Sequence, residues 1–414
     1  MSWFIFFFYL LLFSWLITRM RFFRNSGLNR FVLVGLFTIK VAAGLAYLQF
    51  HSLPQYRQRA DTWKFYERSL PETQLLKKDP VGFTTELFRN YYPTTGGLFA
   101  DKNSYWNDVK DRALVKLVAV TNVFTNSNFH ADIIFFNFLF FIGLVAFYRL
   151  MRTLYRNTGW QLVAAVFLVP SFLFWCSGIH KDGLIFSALG LSFYSFQAIL
   201  EMRRRVLHVL VLVSCLLLIF VLRNYLAIVL VAALGLGGIL HVFPRRRLAT
   251  VAIVLITGVA IGFSAKYIHP ALDIPGQLAE KQRQFMALEG GSRIETRPLE
   301  PTFAGFVAAL PAAIDMAFLR PHPGEAGAVS WIASMEIILC WLLLGYCIYR
   351  RSACFGFAPV AVACVVFALI TLLIIGYTVP FSGAVVRYRA LVLPLLLAPY
   401  VASTFSKSAY IRKK

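Results

Sequence analysis

Long apolar runs separated by short arginine clusters dominate this chain, and that alternation limits what it can fold into. A segment in hydrocarbon must satisfy its own backbone hydrogen bonds, so each run of about twenty apolar residues is expected as a helix crossing roughly 30 Å of lipid. The runs read in this way are 3–18, 31–50, 131–148, 161–178, 183–200, 207–222, 225–241, 249–265, 329–349, 357–377 and 388–404. The expected fold class is therefore all-α, a polytopic transmembrane helix bundle of about 11 spans. The first run has neither a charged n-region nor a small-residue cleavage site, so it reads as a helix and not as a signal peptide.

Composition agrees with the pattern. Hydrophobic residues make up 59% and charged residues 14%, which excludes an ordinary soluble domain. A formal charge of +22 raises the question of nucleic acid. The basic residues form no basic domain and no arginine-rich helix, so nucleic acid is not an expected partner. They are instead topology signals. Arg19, Arg21, Arg24 and Arg30, then Arg149, Arg152 and Arg156, then Arg203 to Arg205, Arg245 to Arg247, and Arg350 with Arg351 fall in alternate connections, whose one acid is Glu201. Those connections and the tail ending Arg412, Lys413, Lys414 are expected to be cytoplasmic, with the N-terminus outside.

This orientation puts two long regions on the outer face, 51–128 and 266–328. The domain reading has four parts: an extra N-terminal helix with its arginine-rich turn (1–30), a core module (31–265) containing the first outer loop with helices lying along the interface, a second outer region read as ordered loop (266–328), and C-terminal spans with a basic tail (329–414). The six cysteines lie in or beside apolar runs and none lies in the outer loops, so neither a disulfide framework nor a zinc site is expected.

Ionisable residues at membrane depth are functional-site hypotheses by default. Lys40 and Glu336 are two such residues, read either as an ion pair bridging helices or as functional groups. A sharper cluster is Gly178-Ile179-His180-Lys181-Asp182-Gly183, at a short outer turn. It is either a solvated hairpin with Asp182 as the cap of the following helix, or a site using His180 and Lys181. Arg223, Arg320, Arg387 and Arg389 mark further outer turns, although charge bias favours arginine on the other side. Cations at one face suit an anionic ligand, because Arg and Lys bind phosphate through charge-assisted hydrogen bonds. General contact with lipid phosphates is the alternative.

Opposite them stands Asp61, in Arg59-Ala60-Asp61-Thr62-Trp63-Lys64-Phe65-Tyr66. A carboxylate beside aromatics near the interface suits a general base acting on a sugar hydroxyl. The bland alternative is a solvated loop acid paired with Arg57, Arg59 or Lys64. Trp63 and Tyr66 read as sugar-stacking aromatics or as members of an interfacial belt.

In layout the chain resembles the C-type glycosyltransferase superfamily, polytopic enzymes that take a sugar from a polyprenyl-phosphate or -diphosphate carrier. That family has a long first outer loop carrying an acid near its start and a second long outer loop after its seventh core helix. With 31–50 as the first core helix and 249–265 as the seventh, both loops here match, and Asp61 matches the loop acid by position. The strings Pro170 to Trp175 with Gly178 to Asp182, Leu319-Arg320-Pro321, and Arg387-Tyr388-Arg389 ahead of Pro394 are similar to those of bacterial glycan-assembly membrane proteins. Two departures stand out: the helix at 3–18 is extra, and the first loop has no paired-acid motif. Asp101, Asp108 or Asp111 would have to supply a second carboxylate, which leaves a divalent cation open.

The resemblance implies a transferase of the bacterial inner membrane, moving a sugar to a glycan, lipid or protein acceptor on the outer face. Asp61 is its expected catalytic base, in a single displacement with inversion. His180, Lys181, Arg223, Arg320, Arg387 and Arg389 are its expected substrate and phosphate ligands, with Asp101, Asp182, Trp63 and Tyr66 as accessory residues. Two rivals are an O-antigen or exopolysaccharide polymerase or ligase, and a transporter or flippase of lipid-linked glycans.

Overall fold

A computed structural model describes residues 2–58, 60–92, 104–156, 158–325, 328–350 and 358–406. Helix makes up 82% of it and no strand forms among the described residues. The main helices are α1 (Ser2–Arg19), α2 (Arg30–His51), α3 (Asp61–Lys78), α4 (Tyr105–Thr125), α5 (Phe129–Leu154), α6 (Trp160–Phe167), α7 (Pro170–Trp175) and α8 (Lys181–Leu200). They continue with α9 (Arg205–Val242), α10 (Arg247–Ser264), α11 (Ile274–Met286), α12 (Phe303–Ile314), α13 (Ala328–Arg350), α14 (Pro359–Thr378), α15 (Ser382–Ala390) and α16 (Leu393–Phe405).

Seven of the expected spans, 3–18, 31–50, 131–148, 183–200, 249–265, 329–349 and 357–377, coincide with single helices. The others differ in ways that have local causes. Among the described residues, seven helices are long and apolar enough to cross a membrane, or eight if α15 and α16, bent by 49° at their junction, form one span. The structure thus gives a helical protein with seven or eight candidate spans among the described residues, α9 holding two of the expected runs in one helix. The run 161–178 is broken between α6 and α7, where Pro170 supplies no N–H and pushes Val169 out of helical geometry. The runs 207–222 and 225–241 join into α9, and the turn expected at 223–225 shrinks to one non-helical residue, Arg223, with φ −153° and ψ 86°. The region 266–328 is also more regular than expected: Phe303–Leu319 is an apolar helical stretch ending in a π-turn.

The chain divides into two compact units, one of residues 1–150 with 172–225 and the other of residues 151–171 with 226–414, a division that falls inside the 31–265 segment. In the first unit α5 is the central element. Its apolar stretch is 72% buried, and its close contact with α8 is made by glycine. A Cβ on Gly143 would lie 2.1 Å from Ser187 Cα, and one on Gly190 would lie 2.3 Å from the Gly143 carbonyl. Small residues that let helix backbones approach are a standard device of helix packing in lipid. Aromatic contacts of Phe13 with Phe138 (4.6 Å) and Phe23 with Phe141 (5.8 Å) anchor the N-terminal segment on the same helix.

The described part of region 51–128 forms a helical hairpin. Its α3 and α4 are joined through buried polar groups: Asn122 Nδ2 donates to Ser69 Oγ (2.8 Å) and Thr73 Oγ1 (3.1 Å), and Lys116 pairs with Glu72 at 2.7 Å. In the second unit α14 and α16 supply the buried core, whereas the stretch Pro244–Tyr267 is only 6% buried, as a lipid-facing helix would be. Gly376 lets α12 approach α14, since a Cβ there would meet the Ala313 carbonyl at 2.1 Å. Tyr377 donates to the Phe306 carbonyl at 3.0 Å across the same contact.

These contacts leave no room for a side chain. Gly143→Val and Gly376→Val are each expected to lower stability by about 1–3 kcal/mol, read as a fall in the thermal unfolding midpoint in detergent, while Gly258→Ala, with open space around it, leaves the midpoint in place.

Candidate functional site

The short turn between α7 and α8 is built from the inside out. Lys40, fully buried on α2, donates its ammonium to the Cys176 carbonyl (2.6 Å) and Ser177 Oγ (3.0 Å), and lies 5.5 Å and 5.3 Å over the rings of Phe140 and Phe172. Asn137 on α5 donates to the Ser177 carbonyl at 2.7 Å. Gly44 is needed beside it, because a Cβ there would lie 2.6 Å from that carbonyl oxygen. A Cβ on Gly178 would strike the Tyr47 ring at 2.2 Å. Lys40 is thus satisfied by carbonyl and hydroxyl oxygens. Glu336 takes a different partner, accepting from the Ser171 amide at 3.0 Å.

That clamped turn delivers His180 to the N-cap of α8, with φ −152° and ψ 158°. The cap is His180 and not Asp182, which occupies the first turn of the helix, where the macrodipole favours negative charge. Asp182 is completely buried. Its Oδ1 accepts from Arg223 Nη2 at 2.5 Å, and its Oδ2 lies 3.1 Å from His180 Nδ1. On the other side of the imidazole, His180 Nε2 lies 3.4 Å from Asp61 Oδ2. The His180 side chain is 2% exposed and that of Asp61 is 46% exposed. The result is a chain of groups running inward from solvent, carboxylate, imidazole, carboxylate, guanidinium, each within reach of the next.

Lys181 points to one side, pairing with Asp111 at 2.6 Å and lying 5.3 Å over the Phe65 ring. In the sequence Asp111 stood only in a reserve of acids, and the partners weighed for Asp61, as the alternative to a catalytic base, were the neighbouring Arg57, Arg59 and Lys64. Nothing local marks the contacts of Asp61 with His180, 119 residues on, or of Lys181 with Asp111, 70 residues away. The cluster also differs in charge from the cationic ring expected: Asp61, Asp111 and Asp182 face Lys181 and Arg223.

The aromatic neighbours are committed to protein contacts. Trp63 Nε1 donates to the His51 carbonyl at 3.1 Å, and the Arg57 guanidinium lies 4.6 Å over its ring. Tyr66 stacks on Phe129 at 4.4 Å and donates to the Ser127 carbonyl at 2.6 Å. Burial, with the Asp132 carboxylate second, raises the Tyr66 phenol above its ordinary pKa, so Tyr66 acts as a donor here.

The remaining expected ligands belong to the second unit. Arg320 is held by Asp315 (2.6 Å) and by Glu325. Arg389 is buried and donates to the carbonyls of Ala317 (3.2 Å) and Arg320 (2.6 Å). Arg387 lies 5.9 Å over the Tyr388 ring. Asp101 lies outside the described residues, as do Arg59 and the basic tail. Asp108 pairs with Arg112 at 3.1 Å. Among the described residues no group of three or more His, Cys, Asp or Glu is arranged to hold a metal ion.

Comparison with protein-family models, with curated proteins and with solved structures finds no match to this chain.

Two substitutions probe the construction of the site. Lys40→Met strips the donor from Cys176 and Ser177 and is expected to reduce stability by about 1–3 kcal/mol; loosening of the turn should also speed modification of His180 by diethyl pyrocarbonate, measured by mass spectrometry, and an unchanged rate would show that Lys40 does not hold it. Arg223→Met removes a charged partner of the buried Asp182, with an expected loss of about 3 kcal/mol in thermal or denaturant unfolding.

Proposed function

We propose that this protein is a membrane glycosyltransferase of a bacterial cytoplasmic membrane, moving a sugar from a polyprenyl-phosphate or -diphosphate carrier to a hydroxyl of a glycan, lipid or protein acceptor on the outer face. The observation that carries the reading is the partly exposed Asp61 backed by the buried His180, Asp182 and Arg223. An acceptor hydroxyl approaching Asp61 gives up its proton as its oxygen attacks the anomeric carbon. The bond from that carbon to the carrier phosphate breaks with inversion, and the carrier leaves as the phosphate or diphosphate. His180, lying between two carboxylates, is placed to take the proton on from Asp61, with Asp182 stabilising the imidazolium.

Lys181, steadied by Asp111, is the cation of this cluster assigned to the phosphate, where it offsets charge developing on the leaving group. Arg223, Arg320 and Arg389 serve the protein's own acids and carbonyls, and their part is to hold the framework. A divalent cation is not required by this scheme.

A second reading, a carrier or flippase of lipid-linked glycans, is favoured by the helix breaks at Leu168 and Val169, at Arg223 and between α15 and α16. Interrupted helices mark substrate sites in secondary transporters, and Asp/His chains relay protons there.

The full-length protein, purified into vesicles with a labelled polyprenyl-phosphate sugar and acceptor lipids, separates these readings. Asp61→Asn and His180→Gln are expected to slow transfer by about 10²- to 10⁴-fold with the unfolding midpoint unchanged. Full transfer by Asp61→Asn would point to a polymerase or ligase that does not use this acid, and movement of the labelled lipid without chemical change would point to a carrier.

A further inference from the structure

The first unit holds a second polar feature, at the opposite end of α2. The end of α2 bearing His51 carries the candidate site; the end bearing Arg30 lies about 33 Å away at 1.5 Å per residue. There a cavity of about 590 Å³ opens among Trp15, Arg19, Arg24, Asn29, Arg30 and Leu33, a size suited to a small-molecule ligand.

Its charge is one-sided. No Asp or Glu precedes Asp61 in the chain, so the helices and turn that form the cavity contain no carboxylate. Among the described residues none of Arg19, Arg24 and Arg30 takes part in an ion pair. This sets them apart from Arg223 and Arg320, which both have acids. Arg19 lies 5.8 Å over the Trp15 ring and Arg30 lies 5.0 Å over the Phe31 ring, so both side chains run along aromatic faces. The start of α2 adds the positive end of a 22-residue helix.

The flanks are apolar. Leu11 and Trp15 on α1, and Phe31 and Val32 on α2, are exposed beside the cavity, where hydrocarbon chains would lie. Guanidinium groups without acids, beside exposed apolar residues, suit a ligand with an anionic head and an apolar tail. We propose that this cavity binds the phosphate headgroup of an anionic phospholipid, with its acyl chains laid along α1 and α2. Basic pockets between membrane helices bind such headgroups, and each arginine contributes a modest electrostatic share. The proposal does not depend on the catalytic reading.

Native mass spectrometry of the full-length protein, exchanged into detergent with equal phosphatidylglycerol and phosphatidylcholine, tests it. The wild type is expected to retain phosphatidylglycerol in preference to phosphatidylcholine. Arg24→Gln and Arg30→Gln should each weaken retention roughly fivefold, and the triple variant with Arg19→Gln should abolish the preference without lowering the unfolding midpoint in phosphatidylcholine. Arg21→Gln, just outside the cavity lining, is expected to change nothing. Equal retention of both lipids, an effect of Arg21→Gln as large as that of Arg24→Gln, or displacement of the lipid by inorganic phosphate would each overturn the proposal, the last in favour of a site for free phosphate.

Discussion

Asp182 has no exposed surface, and the first unit is organised around meeting that charge. An isolated ionised carboxylate in an apolar interior is prohibitively costly, so it must be paired and hydrogen-bonded. Its two oxygens draw together Arg223, at the break in α9, and His180, at the start of α8. His180 in turn reaches the carboxylate at the start of α3. Groups from three separate stretches of the chain therefore meet around one buried charge. The single non-helical residue in α9 is the arginine that answers it, which gives the kink a partner if not by itself a cause.

The second unit solves a similar problem differently. Arg389 is buried and is met by backbone carbonyls of Ala317 and Arg320, at the end of the π-turn, where the negative end of a helix is presented. Lys40 in the first unit is treated the same way, by the Cys176 carbonyl and the Ser177 hydroxyl. Carbonyl oxygens thus serve the deepest cations, while acids serve Lys181, Arg223 and Arg320 nearer the helix ends. Arg19, Arg24 and Arg30, which form no ion pair among the described residues, belong to a stretch that has no acid to offer.

Much of the helical framework was legible beforehand, because apolar runs longer than about five helical turns have few other structures available to them in lipid. The misreadings share a cause. Treating 161–178 as one helix undervalued Pro170, and treating 223–225 as a turn overvalued three polar residues in sequence. The helical stretch at 303–319 was hidden by prolines that helices tolerate near their ends or between packed neighbours. In the candidate site, Asp61, His180, Lys181, Asp182 and Arg223 stood out as charged groups in an apolar chain, but their mutual roles did not. His180 was read as a phosphate ligand, and it lies between two carboxylates.

Local pattern carried the class of the fold and the placement of most helices, since hydrophobic length and proline act over a few turns of chain. The pairing of Asp61 with His180, of Lys181 with Asp111 and of Asp182 with Arg223 was beyond its reach. Those contacts join residues 119, 70 and 41 positions apart. They arise only when packing excludes water and leaves each charge to find a partner, a condition that exists in the assembled interior and in no single segment.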